Sequence, residues 1–109
     1  VSGAKLLNKA AISFEDSNFD FGTIALNKPV SHTFTLTNNG NAPLIINRVA
    51  TTCGCTASEY PKEAILPGKS DDIVITYNAA SAGAFSKSAT VYSNAADETV
   101  VLKIKGVVQ

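Results

Sequence analysis

Apolar residues recur at every second position through most of this chain. That period commits it to strands, because only an extended backbone sends successive side chains to opposite faces. Val30, His32, Phe34 and Leu36 share one face, and Ser31, Thr33, Thr35 and Thr37 share the other. This is the pattern of an antiparallel strand with one buried side and a Thr-rich outer side. The alternation returns at Ile73, Ile75 and Tyr77, at Phe85, Lys87, Ala89 and Val91, and at Val100, Leu102 and Ile104, running on to Val108. Ala11–Phe14 and Phe19–Ile24 read as two short strands, and Pro43–Val49 as another, with Pro43 at a first position where its missing N–H is harmless. Between these lie turn signals: Asn38-Asn39-Gly40-Asn41, whose residue types tolerate positive φ and whose amides bond locally, Pro67-Gly68, and Asn94-Ala95-Ala96-Asp97.

About seven strands at this spacing, with little helical periodicity, point to an all-β, immunoglobulin-like antiparallel β-sandwich. The Trp and the widely spaced cysteines of antibody domains are both missing, so the lineage is a different one. A chain of 109 residues fits one domain with one core. Residues 10–109 are expected to form the sandwich and residues 1–9 a flexible N-terminal segment. The start lacks an initiating Met and reads as trimmed from a longer precursor. Phe19, Phe21, Phe34 and Phe85, with Leu36 and Ile75, are expected to make most of the core.

Composition narrows the partners. Charged residues are 17% and the formal net charge is zero, with the nine Lys and Arg scattered along the chain. A nucleic-acid binder carries a basic footprint, and a membrane-surface module carries a basic amphipathic helix. Nucleic acid and anionic lipid are therefore not expected, and no stretch approaches the roughly 18 apolar residues of a transmembrane segment.

The chemistry-bearing residues are few. Cys53 and Cys55, separated by Gly54, are the two cysteines of the chain. In extended backbone their Cα atoms stand roughly 6.5–7 Å apart, the outer edge of disulfide geometry, and Gly54 permits the bend that would shorten the span. A local disulfide, a redox-active pair, a two-sulfur metal site and simple packing all remain open. Two thiolates fall short of the four ligands of structural zinc, whereas Cu(I) accepts thiolates readily. His32, the one imidazole, faces the core side and is read as a hydrogen-bonded core residue rather than a third ligand. Asp71-Asp72, Asp97-Glu98 and Glu15-Asp16 read as solvated charges that discourage edge pairing. No nucleophile elbow, phosphate-cradling loop or converging carboxylate pair is present, so an enzyme is not expected, and neither a cofactor nor a metal is required.

Several blocks together form a recognisable order: Phe19-x-Phe21-Gly22-Thr23-Ile24, His32-Thr33-Phe34, Thr37-Asn38-x-Gly40-Asn41-x-Pro43-Leu44 and Cys53-Gly54-Cys55-Thr56. Pro67-Gly68-Lys69-Ser70, Lys87 with Ala89-Thr90-Val91-Tyr92-Ser93-Asn94, and Leu102-x-Ile104-x-Gly106-x-Val108 follow. In these the sequence resembles the bacterial domain of unknown function 1573 family over roughly residues 12 to 108. The resemblance implies an immunoglobulin-like sandwich similar to ciliary, centrosomal and pilus-chaperone domains. It also implies an exported bacterial protein, periplasmic, cell-surface or secreted, often a lipoprotein, with no assigned activity. The expected function is a non-enzymatic extracytoplasmic interaction or structural module with a protein partner, binding through a sheet edge, loops or the Thr-rich face. The alternative is a thiol-redox or copper-binding protein acting through Cys53 and Cys55.

Overall fold

The computed structural model describes residues 9–52, 54–95 and 99–109. Most of the expected N-terminal segment, Cys53, and the Asp97-Glu98 pair therefore lie outside the described residues. Among the described residues the chain forms eight strands: β1 (Ile12–Phe14), β2 (Asn18–Ile24), β3 (Val30–Asn38), β4 (Ile46–Thr51), β5 (Thr56–Glu59), β6 (Ser70–Tyr77), β7 (Gly83–Ser93) and β8 (Val100–Val108). They make two four-stranded sheets, ordered β1-β3-β6-β5 and β2-β8-β7-β4. The sheets approach each other along β4 and β5 on one side and along β2 and β3 on the other.

The alternation sorts as expected. Phe34 and Leu36 of β3, Ile73 and Ile75 of β6, Val91 of β7, and Leu102 and Ile104 of β8 are fully buried between the sheets. Each such side chain contributes about 1.5–3 kcal/mol relative to exposure. Phe85 is buried too, its ring stacked on Tyr77 at 4.0 Å between centroids. Phe19 and Phe21 are only half-buried, packing against the core from the β2 edge. Opposite Phe85 stands Gly106, where an added Cβ would meet the Phe85 ring at 2.8 Å and the Gly22 carbonyl at 2.9 Å, so the ring occupies the space a side chain would need.

Three details depart from the sequence reading. β2 pairs with β8 in parallel, not antiparallel. Gly22, at φ +72°, sits where the register shifts between Asp20 and Thr23, as at a β-bulge. The strand read from Pro43 begins only at Ile46; Leu44 instead forms an isolated bridge with Ile65. β5 was not legible, because its inward positions carry Thr56 and Ser58 in place of large apolar side chains.

The Pro67-Gly68 turn forms as read, with Lys69 N–H donating to the Leu66 carbonyl and Gly68 at φ +81°. The Asn38–Asn41 cluster works differently from expectation. None of its residues takes a positive φ. Gly40 is required by close approach: an added Cβ would lie 2.1 Å from the Lys9 carbonyl oxygen.

Candidate functional site

The chain changes sheets twice in succession, from β3 to β4 and from β4 to β5, and the sequence-marked cysteines lie on the second crossing. That crossing joins the two edge strands on one side of the sandwich. Thr52 N–H donates to the Ser88 carbonyl at 3.1 Å, and Ser88 N–H donates to Thr52 Oγ1 at 3.3 Å. On the far side, the Cys55 carbonyl accepts from Asn78 N–H at 2.9 Å, and β5 then pairs with β6 from Thr56 opposite Tyr77. Cys55 is half-buried and disulfide-bonded, with its Sγ 3.8 Å from Thr56 Oγ1. An added Cβ at Gly54 would meet open space, so this one residue faces away from the sandwich.

His32 is not the hydrogen-bonded core residue expected. Its ring stacks on Phe19 with centroids 3.7 Å apart and meets Phe34 edge-on at 4.6 Å. Its Nε2 is buried without a hydrogen-bond partner, 3.5 Å from an Asp16 carboxylate oxygen. Aromatic stacking, not polar satisfaction, holds the imidazole in place. Asp16 thereby stands beside His32, where the sequence suggested a solvated edge charge. Asp72 is likewise engaged, accepting from Thr35 Oγ1 at 3.0 Å. Among the described residues no group of three or more His, Cys, Asp or Glu gathers as a metal site.

The Thr-rich outer face of β3 is tied into its sheet. Ser31 and Thr76 hydroxyls lie 2.7 Å apart, and those of Thr37 and Ser70 2.8 Å apart. The structure adds an edge that local pattern could not show. β1 covers only Leu36–Asn38 of β3, and one further bond runs from Glu15 N–H to the Thr35 carbonyl at 3.1 Å. The chain then turns away to β2 in the other sheet. By strand parity the next backbone groups in that row belong to Thr33 and Ser31, and no described strand pairs with them on that side.

Comparison with known proteins bears on this arrangement. No curated protein matches the sequence. A protein of unknown function from Porphyromonas gingivalis W83 superposes with a TM-score of 0.80 at 16% identity, covering 96% of this chain and 51% of that one. The chain thus spans about half that protein's length. The ASH/PapD-like domain 7 of human CEP192 gives 0.77 at 11% identity, covering 100% and 92%. The VesB protease of Vibrio cholerae gives 0.72 at 16% identity, covering 92% of this chain and 32% of that one. At these identities the likeness shows the fold, an immunoglobulin-like sandwich of PapD-like kind. The family described as protein of unknown function (DUF1573) matches residues 12–108, nearly the whole length, and the chain belongs to that family.

Proposed function

We propose that this chain is a non-enzymatic, extracytoplasmic interaction module that receives an extended segment of a protein partner along the open edge of β3. The observation that carries the reading is the early end of β1, which leaves the Ser31–Thr33 stretch, paired with β6 on one side, without a described strand on the other. An unpaired row of N–H and C=O groups is a template for strand addition, in which main-chain hydrogen bonds supply affinity and alternate side chains supply selectivity. The likeness to VesB reaches only 32% of that chain at 16% identity and speaks for the fold alone. The one imidazole is stacked within an aromatic cluster, which suits packing better than proton transfer.

Extracytoplasmic placement rests on the disulfide at Cys55, since such bonds persist in oxidising compartments. Pairing with Cys53, the only other cysteine, belongs to the same proposal. A photocrosslinking residue at Thr33 is expected to capture a partner that the same residue at Ser88, on the other sheet, does not. Equal capture at both positions would sink the edge reading, as would unchanged exchange of the Ser31 and Thr33 amides in the complex.

A second reading, thiol–disulfide exchange, is favoured by the disulfide-bonded, only partly buried Cys55 in a Cys-Gly-Cys step. A short-loop disulfide is more easily reduced than a long structural one. Copper binding suits it less, because the metal needs thiolates. A thiol count and the reduction potential decide: a potential in the range of thiol oxidoreductases supports exchange, and a disulfide that resists reduction removes it.

A further inference from the structure

We infer that the Asn39-Gly40 step is a self-modification site, where the asparagine rearranges through a cyclic imide to isoaspartate at a rate set by the buried amide of Asn38. The site needs only water and is independent of the reading of the β3 edge. Asn39-Gly40 is the only Asn-Gly step in the chain. Gly is the least hindered follower for this reaction, because no Cβ crowds its attacking nitrogen. The Asn39 residue is exposed, and its side chain makes no hydrogen bond among the described residues.

The chemistry balances without oxidant, reductant or cofactor. Hydroxide takes the Gly40 amide proton, and the nitrogen attacks Asn39 Cγ. The new N–Cγ bond closes a five-membered imide as the Cγ–Nδ2 bond breaks, and Nδ2 takes up a proton and leaves as ammonia. Water then opens the ring at either carbonyl. Opening at Cγ leaves an ordinary aspartyl link. Opening at the main-chain carbonyl routes the backbone through Cβ and Cγ, which adds one methylene to the main chain.

The fold supplies both a brake and a consequence. The attacking nitrogen is engaged, since Gly40 N–H donates to Asn38 Oδ1 at 2.9 Å, and that bond must open before the proton can leave. The acceptor is itself fixed: Asn38 is fully buried, and its Nδ2 donates to the Ala42 and Ile65 carbonyls. The consequence lies on the facing segment. Asn39 N–H donates to the Ala11 carbonyl at 3.0 Å and Asn41 N–H to the Lys9 carbonyl at 2.9 Å, so the step is fastened on both sides. Between them Gly40 lies so close that an added Cβ would stand 2.1 Å from the Lys9 carbonyl oxygen. A methylene inserted between positions 39 and 40 changes the spacing of these donors, so both bonds cannot persist and residues 9–11 must come away.

The test follows position 39 of the full chain by mass-spectrometric peptide mapping in mildly alkaline buffer, with and without denaturing urea. The folded chain is expected to convert about tenfold or more slowly than the unfolded one. Asn38→Ala should remove most of that protection, whereas Asn41→Ala, which keeps the Gly40–Asn38 bond, should leave it in place. Should Asn38→Ala fail to fold, the wild type decides. Protection of the Gly40 amide against hydrogen exchange should match protection against conversion within about threefold, because both wait on the same opening. Chains carrying isoaspartate should lose exchange protection at Asn39 and Asn41 and keep it at Ile73 and Ile75. Four results would each overturn the site: equal rates in folded and unfolded chains, a folded Asn38→Ala variant that converts no faster, conversion far slower than Gly40 exchange allows, or wild-type protection at Asn39 and Asn41 in the isoaspartate form.

Discussion

The two successive crossings on either side of β4 are held by opposite means. The first, from β3 to β4, is fastened by Asn38, whose side chain is fully buried and spends its whole bonding capacity. Nδ2 donates to the carbonyls of Ala42 and Ile65, both at 2.8 Å, while Oδ1 accepts from Gly40 N–H at 2.9 Å and Ala11 N–H at 3.3 Å. One amide thus ties together its own turn, the β1 approach and the loop before β6. Asn41 extends the clamp, accepting from Lys9 N–H at 2.7 Å and returning its own N–H to the Lys9 carbonyl. The second crossing, from β4 to β5, has backbone bonds at its two ends, an exposed threonine hydroxyl and a disulfide-bonded cysteine. The contrast teaches that a buried, saturated polar group can fasten one crossing where the crossing with the conspicuous cysteines relies on backbone bonds at its ends.

That contrast breaks most visibly at Asn38. Asn38→Ala should cost about 3 kcal/mol, because buried carbonyls and amides lose their partner in a site closed to water. Urea denaturation would measure it, and a loss under about 1 kcal/mol would remove the anchoring role. Gly40→Ala comes next. Its Cβ cannot coexist with the Lys9 carbonyl, so residues 9–11 must shift, at a cost of about 2 kcal/mol. Faster amide exchange confined to Ala11 and Asn41 would locate the damage, and wild-type exchange there would contradict it.

Effects at the second crossing should be smaller. Reducing the disulfide should lower stability by about 1.5 kcal/mol at most, since a Cys53–Cys55 link closes a very short loop and barely restricts the unfolded chain. A melt with and without reductant reads this directly, and a loss matching that of Asn38→Ala would erase the contrast. Thr52→Ala should cost only about 0.5 kcal/mol, the usual scale for one solvent-exposed hydrogen bond.

Much of this could be read along the chain. The inward set of β3, β6, β7 and β8 followed from alternation, and the Pro67-Gly68 turn from its residue types. Other features left no local trace. Leu44 and Ile46 keep the parity of one strand, yet only Ile46 joins the sheet, because Leu44 finds its partner in Ile65, distant in sequence. Asn41 looked like a residue bonding its own turn, but its amide oxygen serves Lys9 across 32 positions. His32 showed the right face and not its neighbours: Asp16 reaches it from the link between β1 and β2, and Phe19 from β2 in the other sheet.

By itself the sequence determined which side of each long strand meets the core and where the chain must turn. Both are local properties, set by the two-residue period of an extended backbone and by the few residue types that accept tight bends. The tertiary structure alone decided partners: the parallel union of β2 with β8, the fourfold bonding of Asn38 and the exposed edge of β3. Each depends on which distant strands lie side by side and in which register. Pairing of that kind is a property of the whole packed sandwich, and no single segment encodes it.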